Sequence, residues 1–512
     1  MMSALIHSLA WLLPVAPLFA VAWIGIGTLS GLNRGESGEK QTANVAQMAI
    51  AFSLGLLLFF DVLSVFAGVP GKLFIAEWFH SGTTRVEYTL QLDRLGLAIG
   101  TLVSFLLLLT IRFSVNYLHR EAGFQRFFMV LSLFASGMLF IVLSGNALMA
   151  FVGWELAGVS SFLLIAFNTQ RKVATENANY AFISNRIGDA AFIFALFMSY
   201  HTLGSTGWVE MMQLSPTQST LYTGLMLAGF MLAAFAKSGM LPFSGWISRA
   251  LEGPTPSSAI FYGSLMVHAG VYLVIRLQFV FEQVPELMWV LVLVGALTAI
   301  YGWLSAQVQT DVKSSLMFST TAQVGLMFVE CGLGWFELAT WHLALHAIWR
   351  AWQFLSSPDL MYLVHRPAHE VTPLLKNNSF LFTTALQRFW LEHLADWFLL
   401  RPTESLAKEV QDFDEKVVNR LIGLPSDSGG VQGQEQGWID SIGKGRGLSG
   451  RLMEMVAAAF EWFEEHLILQ GGGEGLLKLI NRLGRYMLTV EQLLSQPRYL
   501  IVLIVITFVV II

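Results

Sequence analysis

Apolar runs of about twenty residues, each bounded by polar or turn-forming residues, recur eleven times between residues 6 and 357. A helix rising about 1.5 Å per residue needs about that length to cross the hydrocarbon core of a bilayer. Inside the core every backbone N–H and C=O must bond within its own segment, so runs of this length are read as helices. They lie near 6–29, 46–68, 95–115, 126–144, 146–168, 178–201, 221–243, 256–276, 286–305, 313–331 and 335–357. Composition points the same way: 55% of residues are hydrophobic and 13% charged, about half the charged share of a soluble domain. The predicted fold class is an all-α polytopic membrane protein. The first apolar run, from Ala4 to about Leu29, has no basic residues ahead of it and is long enough to span, so it reads as a retained helix.

Between the second and third spans, "EWFHSGTTRVEYTLQLDRLG" alternates polar and apolar residues around a glycine, the pattern of a β-hairpin outside the membrane. Basic residues concentrate in alternate loops. Arg34, Lys40, Arg120, Arg126, Arg171, Lys172, Arg249 and Lys313 fall on one side, against Lys72, Arg85, Arg94 and Arg276 on the other. The positive-inside rule therefore places the N-terminus outside and the chain after span eleven inside. A net charge of −5 carries no nucleic-acid signal, and the single cysteine, Cys331, excludes an intrachain disulfide, a cysteine zinc cluster and an iron–sulfur centre. There is no GxSxG nucleophile elbow, Walker loop or strand-borne GxGxxG, and no cofactor or metal is expected.

After His365 the composition shifts. Segments 380–400, 403–422, 451–469 and 476–494 carry apolar residues at helical spacing, as in helices that lie on a membrane surface or a partner. Residues 423–450 read as a linker, and "RYLIVLIVITFVVII" at the end reads either as a membrane anchor or as a peripheral hydrophobic staple.

Against this apolar background the ionisable residues inside spans stand out, because a charge at mid-membrane depth costs several kcal/mol. Lys237 lies in "AFAKSGMLPFSGW", with Pro242 five residues on. Proline breaks the helix ladder, and freed carbonyls at that depth are tolerated where they line water or protein. Glu155 lies near the middle of span five and is a candidate partner for Lys237, the pair storing or passing one proton; its alternative is a hydrogen bond that only fixes packing. His342, His346 and Arg350 are four residues apart and so share one face of span eleven. That spacing suits a proton or water wire better than a metal site, since no carboxylate or cysteine completes a ligand set. Arg186 and Asp189, three apart, either serve the same path or simply neutralise each other. His268 is a second candidate, or a packed core histidine.

Taken together, "GWELAGVSSFLLIAF", "NRIGD", "AKSGMLPFSGWISRALEGPTPSSA", "GVYLVIR", "QTDVKSSLMFSTTAQVGLMF" and "HAIWRAWQFL" resemble the antiporter-like proton-conducting family. That family includes chain L of respiratory complex I, cation/proton antiporter subunits and the inorganic carbon transporter subunit DabB. The resemblance runs from about residue 80 to 357. It implies a core of two inverted five-helix repeats, each with a broken helix. Here residues 126–276 form the first repeat and 286–357 a shortened second one, which lacks the twelfth and thirteenth helices. It also implies a proton relay through Glu155, Lys237, His346 and Arg350, with Asp311 and Lys313 of "QTDVKSS" as supporting charges. Two positions depart from the family: Arg350 replaces a lysine, and Tyr262 replaces a histidine. Within the family, "ECGLGWFELATWHLALHAIWRAWQFLSSP" and the short second repeat look more like DabB. The retained "GWELAG" and the surface helices look more like chain L. The DabB-like reading implies a large cytoplasmic zinc-containing partner resembling carbonic anhydrase (DabA-like); the chain L reading implies other complex I-type membrane subunits. Either implies a bacterial inner membrane location.

Overall fold

A computed structural model describes residues 2–413 apart from 82–83, 214–219, 265 and 358–370. The chain divides into units 1–403 and 404–512, and of the second only the end of a helix, Arg401–Phe413, is described, with Leu406, Val410 and Phe413 exposed. The segment expected at 403–422 is described only as far as residue 413, and the segments expected at 451–469 and 476–494, the linker 423–450 and the anchor 497–512 lie outside the described residues.

Among the described residues the first unit is helical apart from one hairpin. It begins with α1 (Met2–Ala10), α2 (Leu12–Leu29) and α3 (Gly35–Ala67), followed by strands β1 (Gly71–Ser81) and β2 (Thr84–Leu92). Then come α4 (Arg94–Tyr117), α5 (Phe124–Leu143), α6 (Ala147–Ile165), α7 (Lys172–Leu203), the short α8 (Trp208–Met212) and α9 (Thr220–Ser238). The rest comprises α10 (Gly245–Arg249), α11 (Thr255–Ser258), α12 (Ala269–Arg276), α13 (Gln278–Phe281), α14 (Pro285–Gln307), α15 (Val312–Gly332) and α16 (Phe336–Leu355). Among the described residues, eight helices are long and apolar enough to cross a membrane: the run Ile6–Leu29, α3 to α7, α9 and α14. The predicted all-α polytopic architecture is what the chain adopts. Of the remaining predicted spans, α15 and α16 have the length, 21 and 20 residues, but carry internal polar side chains.

The expected span 256–276 is not one helix. From α11 the chain widens into a π-helical turn, Ala259–Ser264, and resumes as α12. At Gly263 an added Cβ would lie 2.7 Å from the Ala351 Cα, so the backbone here runs directly against α16. Glycines close two other helix pairs, as small residues do where membrane helices pack. A Cβ at Gly153 would sit 2.5 Å from the Gly137 carbonyl oxygen between α6 and α5, and one at Gly325 would sit 2.7 Å from the Gly295 carbonyl oxygen between α15 and α14.

The hairpin forms as its alternation predicts, antiparallel and pairing Gly71 with Leu92 and His80 with Arg85, although β1 starts earlier than the alternating stretch. It is tied down at its own end of the bundle. Lys72 pairs with Glu210 at 2.6 Å, Leu90 bridges to Ser144, and Asn146 bridges to Gly207. Asp93 caps α4 through the Gly96 N–H at 2.8 Å and also pairs with Arg276, whose Nη2 donates to the Tyr272 hydroxyl at 2.6 Å. The loops richer in basic residues meet at the opposite end, where Arg171 pairs with Glu252 at 2.8 Å and Lys313 donates to Thr255 at 2.7 Å.

The segment 380–400 departs from expectation. A helix at Ser379–Leu386 ends, Arg388, Phe389 and Trp390 all take positive φ, and a new helix starts at Leu391. Leu375 and Ala385 are buried with Leu304 and Val308 at the end of α14, so this segment folds back onto the bundle. Glu392 accepts from Ser248 at 3.2 Å and pairs with Arg388.

The Asp93–Arg276 pair gives a direct test of the hairpin end. Arg276 is 4% exposed, so Asp93→Ala removes both a helix cap and the partner of a buried guanidinium. The expected loss is on the order of 3 kcal/mol or more. It should appear as a lower Tm in detergent, whereas Arg94→Ala should change Tm little.

Candidate functional site

Two clusters of ionisable side chains lie inside the bundle. The first is built by α6, α7 and α9. Arg186 and Asp189 are three apart on α7 and share a face, pairing at 2.8 Å between Nη2 and Oδ2. Arg186 Nη1 donates to Glu155 Oε2 on α6, so one guanidinium joins two carboxylates. It also stacks over the Phe182 ring, 4.4 Å from the centroid. Glu155 is therefore held by Arg186 and not by Lys237, the partner expected from the sequence. Lys237, only 1% exposed, donates to the Trp154 carbonyl oxygen at 3.2 Å with its ammonium 5.0 Å from that residue's ring centroid. Gly158 leaves the room: a Cβ there would lie 3.0 Å from Arg186 Nη2 and 3.4 Å from Lys237 Nζ. Two carboxylates and two cations gather here, and their charges sum to zero when all are ionised.

Lys237 reaches this place because α9 stops at Ser238, the residue after it. Gly239 takes φ +63°, Leu241–Pro242 is a cis peptide, and the chain re-enters helix at Gly245. The break thus opens four residues before Pro242. The carbonyl of Ala236 accepts the Trp246 indole N–H at 2.9 Å, and the Leu241 N–H donates to Thr298 Oγ1 at 3.1 Å. These side chains replace bonds that the helix gives up, as the membrane interior requires.

The second cluster is built by α12, α15 and α16. His268 Nε2 lies 3.0 Å from His346 Nδ1, and Arg350 Nε lies 3.4 Å from His346 Nε2. Arg350 also donates to Ser319 Oγ at 2.9 Å. An arginine only donates, so His346 accepts at Nε2, carries its proton on Nδ1 and donates to His268. His268 then bears its own proton on Nδ1, a buried nitrogen with no hydrogen-bond partner among the described residues. His342 sits one turn from His346, the ring centroids 6.1 Å apart, and bonds Glu330 at 2.8 Å and Gln323 at 3.0 Å.

Asp311 and Lys313 join neither cluster. Asp311 caps α15 through the Ser314 N–H at 2.8 Å, and Lys313 ties α15 to Thr255, which also bonds the Tyr117 hydroxyl at 3.0 Å. Sequence reading missed Gly158, Trp246, Ser319, Gln323 and Glu330. Of these, Glu330 carried a readable signal, as a carboxylate in the last turn of a span, twelve residues before a histidine. Among the described residues no group of His, Cys, Asp and Glu is arranged to hold a metal ion.

Residues 144–380 match the family model described as NADH:quinone oxidoreductase/Mrp antiporter, and residues 78–128 match the N-terminus of complex I chain 5. The NAD(P)H-quinone oxidoreductase chain 5 of Synechocystis is 33% identical over 367 residues, covering 70% of this chain and 53% of that protein. NADH-quinone oxidoreductase subunit L of Pseudomonas aeruginosa is 34% identical over 364 residues, covering 69% and 58%. The chain thus spans a little over half the length of these relatives. In the solved Mrp complex from Dietzia, a chain superposes with TM-score 0.58 at 25% identity, over 67% of this chain and 37% of that one. These relatives favour the quinone oxidoreductase and Mrp branch over the DabB-like assignment. The chain belongs to the antiporter-like family of membrane subunits that includes complex I chain 5, subunit L and the Mrp antiporters.

Proposed function

We propose that this chain conducts protons within the membrane as one subunit of a larger complex I-type or Mrp-type assembly. The observation that carries the reading is the charge-balanced group of Glu155, Arg186, Asp189 and Lys237, set beside a helix break. Charges at membrane depth face one another and mark ion pathways. The break supplies irregular backbone, which at that depth belongs beside protein or water. Lys237 is the proton-exchanging group, and Glu155, Arg186 and Asp189 set its proton affinity. Since the guanidinium cannot release a proton usefully, Arg186 and Arg350 act as fixed charges. His268, His342 and His346 continue the path in the second half of the bundle. The partners in this reading are other membrane subunits of such an assembly. It resides in a bacterial inner membrane with the N-terminus outside, as the distribution of basic loop residues supports.

The narrower inorganic-carbon reading, with a DabA-like zinc partner, keeps the support of the stretch from Glu330 to Pro358. Copurification separates the two, quinone- and iron–sulfur-bearing or antiporter subunits favouring the first and a zinc hydratase-like protein the second.

Proton flux in vesicles carrying the full chain in its assembly is the direct test. Lys237→Ala and Glu155→Gln should each lower flux at least ten-fold at unchanged protein level, and wild-type flux in both would reduce these residues to packing charges. Lys237→Arg keeps the charge and removes the exchange, so it should be nearly as damaging as alanine.

The glycine beside the two cations yields a second expectation. Gly158→Val places branched carbons where Arg186 Nη2 and Lys237 Nζ lie, and should lower flux as strongly as Lys237→Ala. Val159→Leu, on an exposed position, should leave flux unchanged.

A further inference from the structure

Glu330 lies two residues before the end of α15, and His342 is the seventh residue of α16. That end of α15 is on the hairpin side. A Cβ at Gly332 would lie 2.6 Å from the Met288 carbonyl oxygen, in the first turn of α14. The first turn of α14 follows closely on α12, whose Arg276 is bound to Asp93 at the foot of the hairpin. With about 1.5 Å of rise per residue, His342, His346 and Arg350 stand roughly 9, 15 and 21 Å from the start of α16. Glu330 and His342 thus head a ladder that runs from the hairpin end toward mid-bundle.

Their chemistry differs from that of a packing pair. Glu330 Oε1 meets His342 Nδ1 at 2.8 Å, while Glu330 Oε2 is a buried oxygen with no hydrogen-bond partner among the described residues. The side chains are 15% and 20% exposed, whereas His268 and His346 are buried. His342 Nε2 faces Gln323 Oε1 at 3.0 Å. With Glu330 ionised and the Gln323 carbonyl turned to the ring, both ring nitrogens donate and His342 is cationic. With the amide turned over, Nε2 accepts and the ring is neutral. One proton separates the two states, and the ring stands one helical turn from His346.

We infer that Glu330 and His342 form the hairpin-side port of the proton path, where a proton passes between water and the histidine ladder. This rests on the relay reading above. A proton entering from the ladder resides on His342 and passes from Nδ1 to Glu330 Oε1; a half-turn of the carboxyl group then carries the protonated oxygen to the unpartnered position, where an entering water takes the proton, and the reverse order admits one.

The test uses vesicles carrying the full chain in its assembly, with expression and solubilised elution profile checked for each variant. Glu330→Gln is expected to lower proton flux at least ten-fold while Glu330→Asp retains at least half. The Glu330→Cys thiol, in a Cys331→Ser background, should react with a membrane-impermeant thiol reagent applied from the hairpin side only. Wild-type flux in Glu330→Gln alongside a block in Lys237→Ala would overturn the port and leave the relay standing. Reaction solely from the opposite side, or from neither, would also overturn the port. Wild-type flux in Lys237→Ala as well would remove the relay on which the port depends.

Discussion

The contact of Arg186 with Glu155 and Asp189 is the interaction on which the middle of this bundle depends. A lone carboxylate or ammonium at that depth costs several kcal/mol, and removing one partner of a buried pair leaves the other uncompensated. Two carboxylates sharing one guanidinium leave an excess negative charge, and Lys237 offsets it from a third helix. The backbone has to yield to bring these groups together. Helix α9 must end at Ser238, Gly158 must lack a side chain, and the Trp246 indole must satisfy the carbonyl of Ala236. Electrostatics and helix geometry are therefore one constraint here.

The second cluster solves a similar problem by other means. The π-helical turn meets α16 through Gly263 against Ala351, α14 backs α15 through Gly295 against Gly325, and the turn carries the chain toward His268 at the start of α12. π-turns inside membrane helices recur at functional sites because they shift the register of the side chains that follow. His268 and His346 then meet beside Arg350, with His342 one turn further along α16.

The apolar runs and the hairpin were legible because each is a local pattern, twenty apolar residues in one case and period-two alternation in the other. Lys237, Glu155 and the histidines were legible as anomalies against that background, and Pro242 announced a break. What the sequence concealed was who pairs with whom. Arg186 and Asp189 are three residues apart and so look self-contained, yet the guanidinium also reaches Glu155, 31 residues away. Lys237 finds a carbonyl 83 residues away. Such choices follow from how helices rotate against one another, which periodicity does not encode. The segment 380–400 failed for another reason. Its apolar spacing suits a surface helix, but Leu375 and Ala385 find a burial site at the end of α14, and the chain turns at three successive positive-φ residues to stay there.

Arg350 changes what the second cluster can do. A lysine at that position can lend its own proton, whereas a guanidinium keeps it and only donates hydrogen bonds. Donation from Arg350 Nε to His346 Nε2 turns the His346 proton toward His268, and His268 in turn points its proton away from the arginine. The fixed charge thereby orders the tautomers of two rings. Ring protons arranged in one sense carry a charge only after each ring has exchanged one nitrogen's proton for the other's, and resetting them needs a second passage or a rotation of the rings. In the proposed relay an arginine here shifts the work of transfer onto the histidines and keeps for itself the task of direction. His268, contributed by α12, is what makes that division possible.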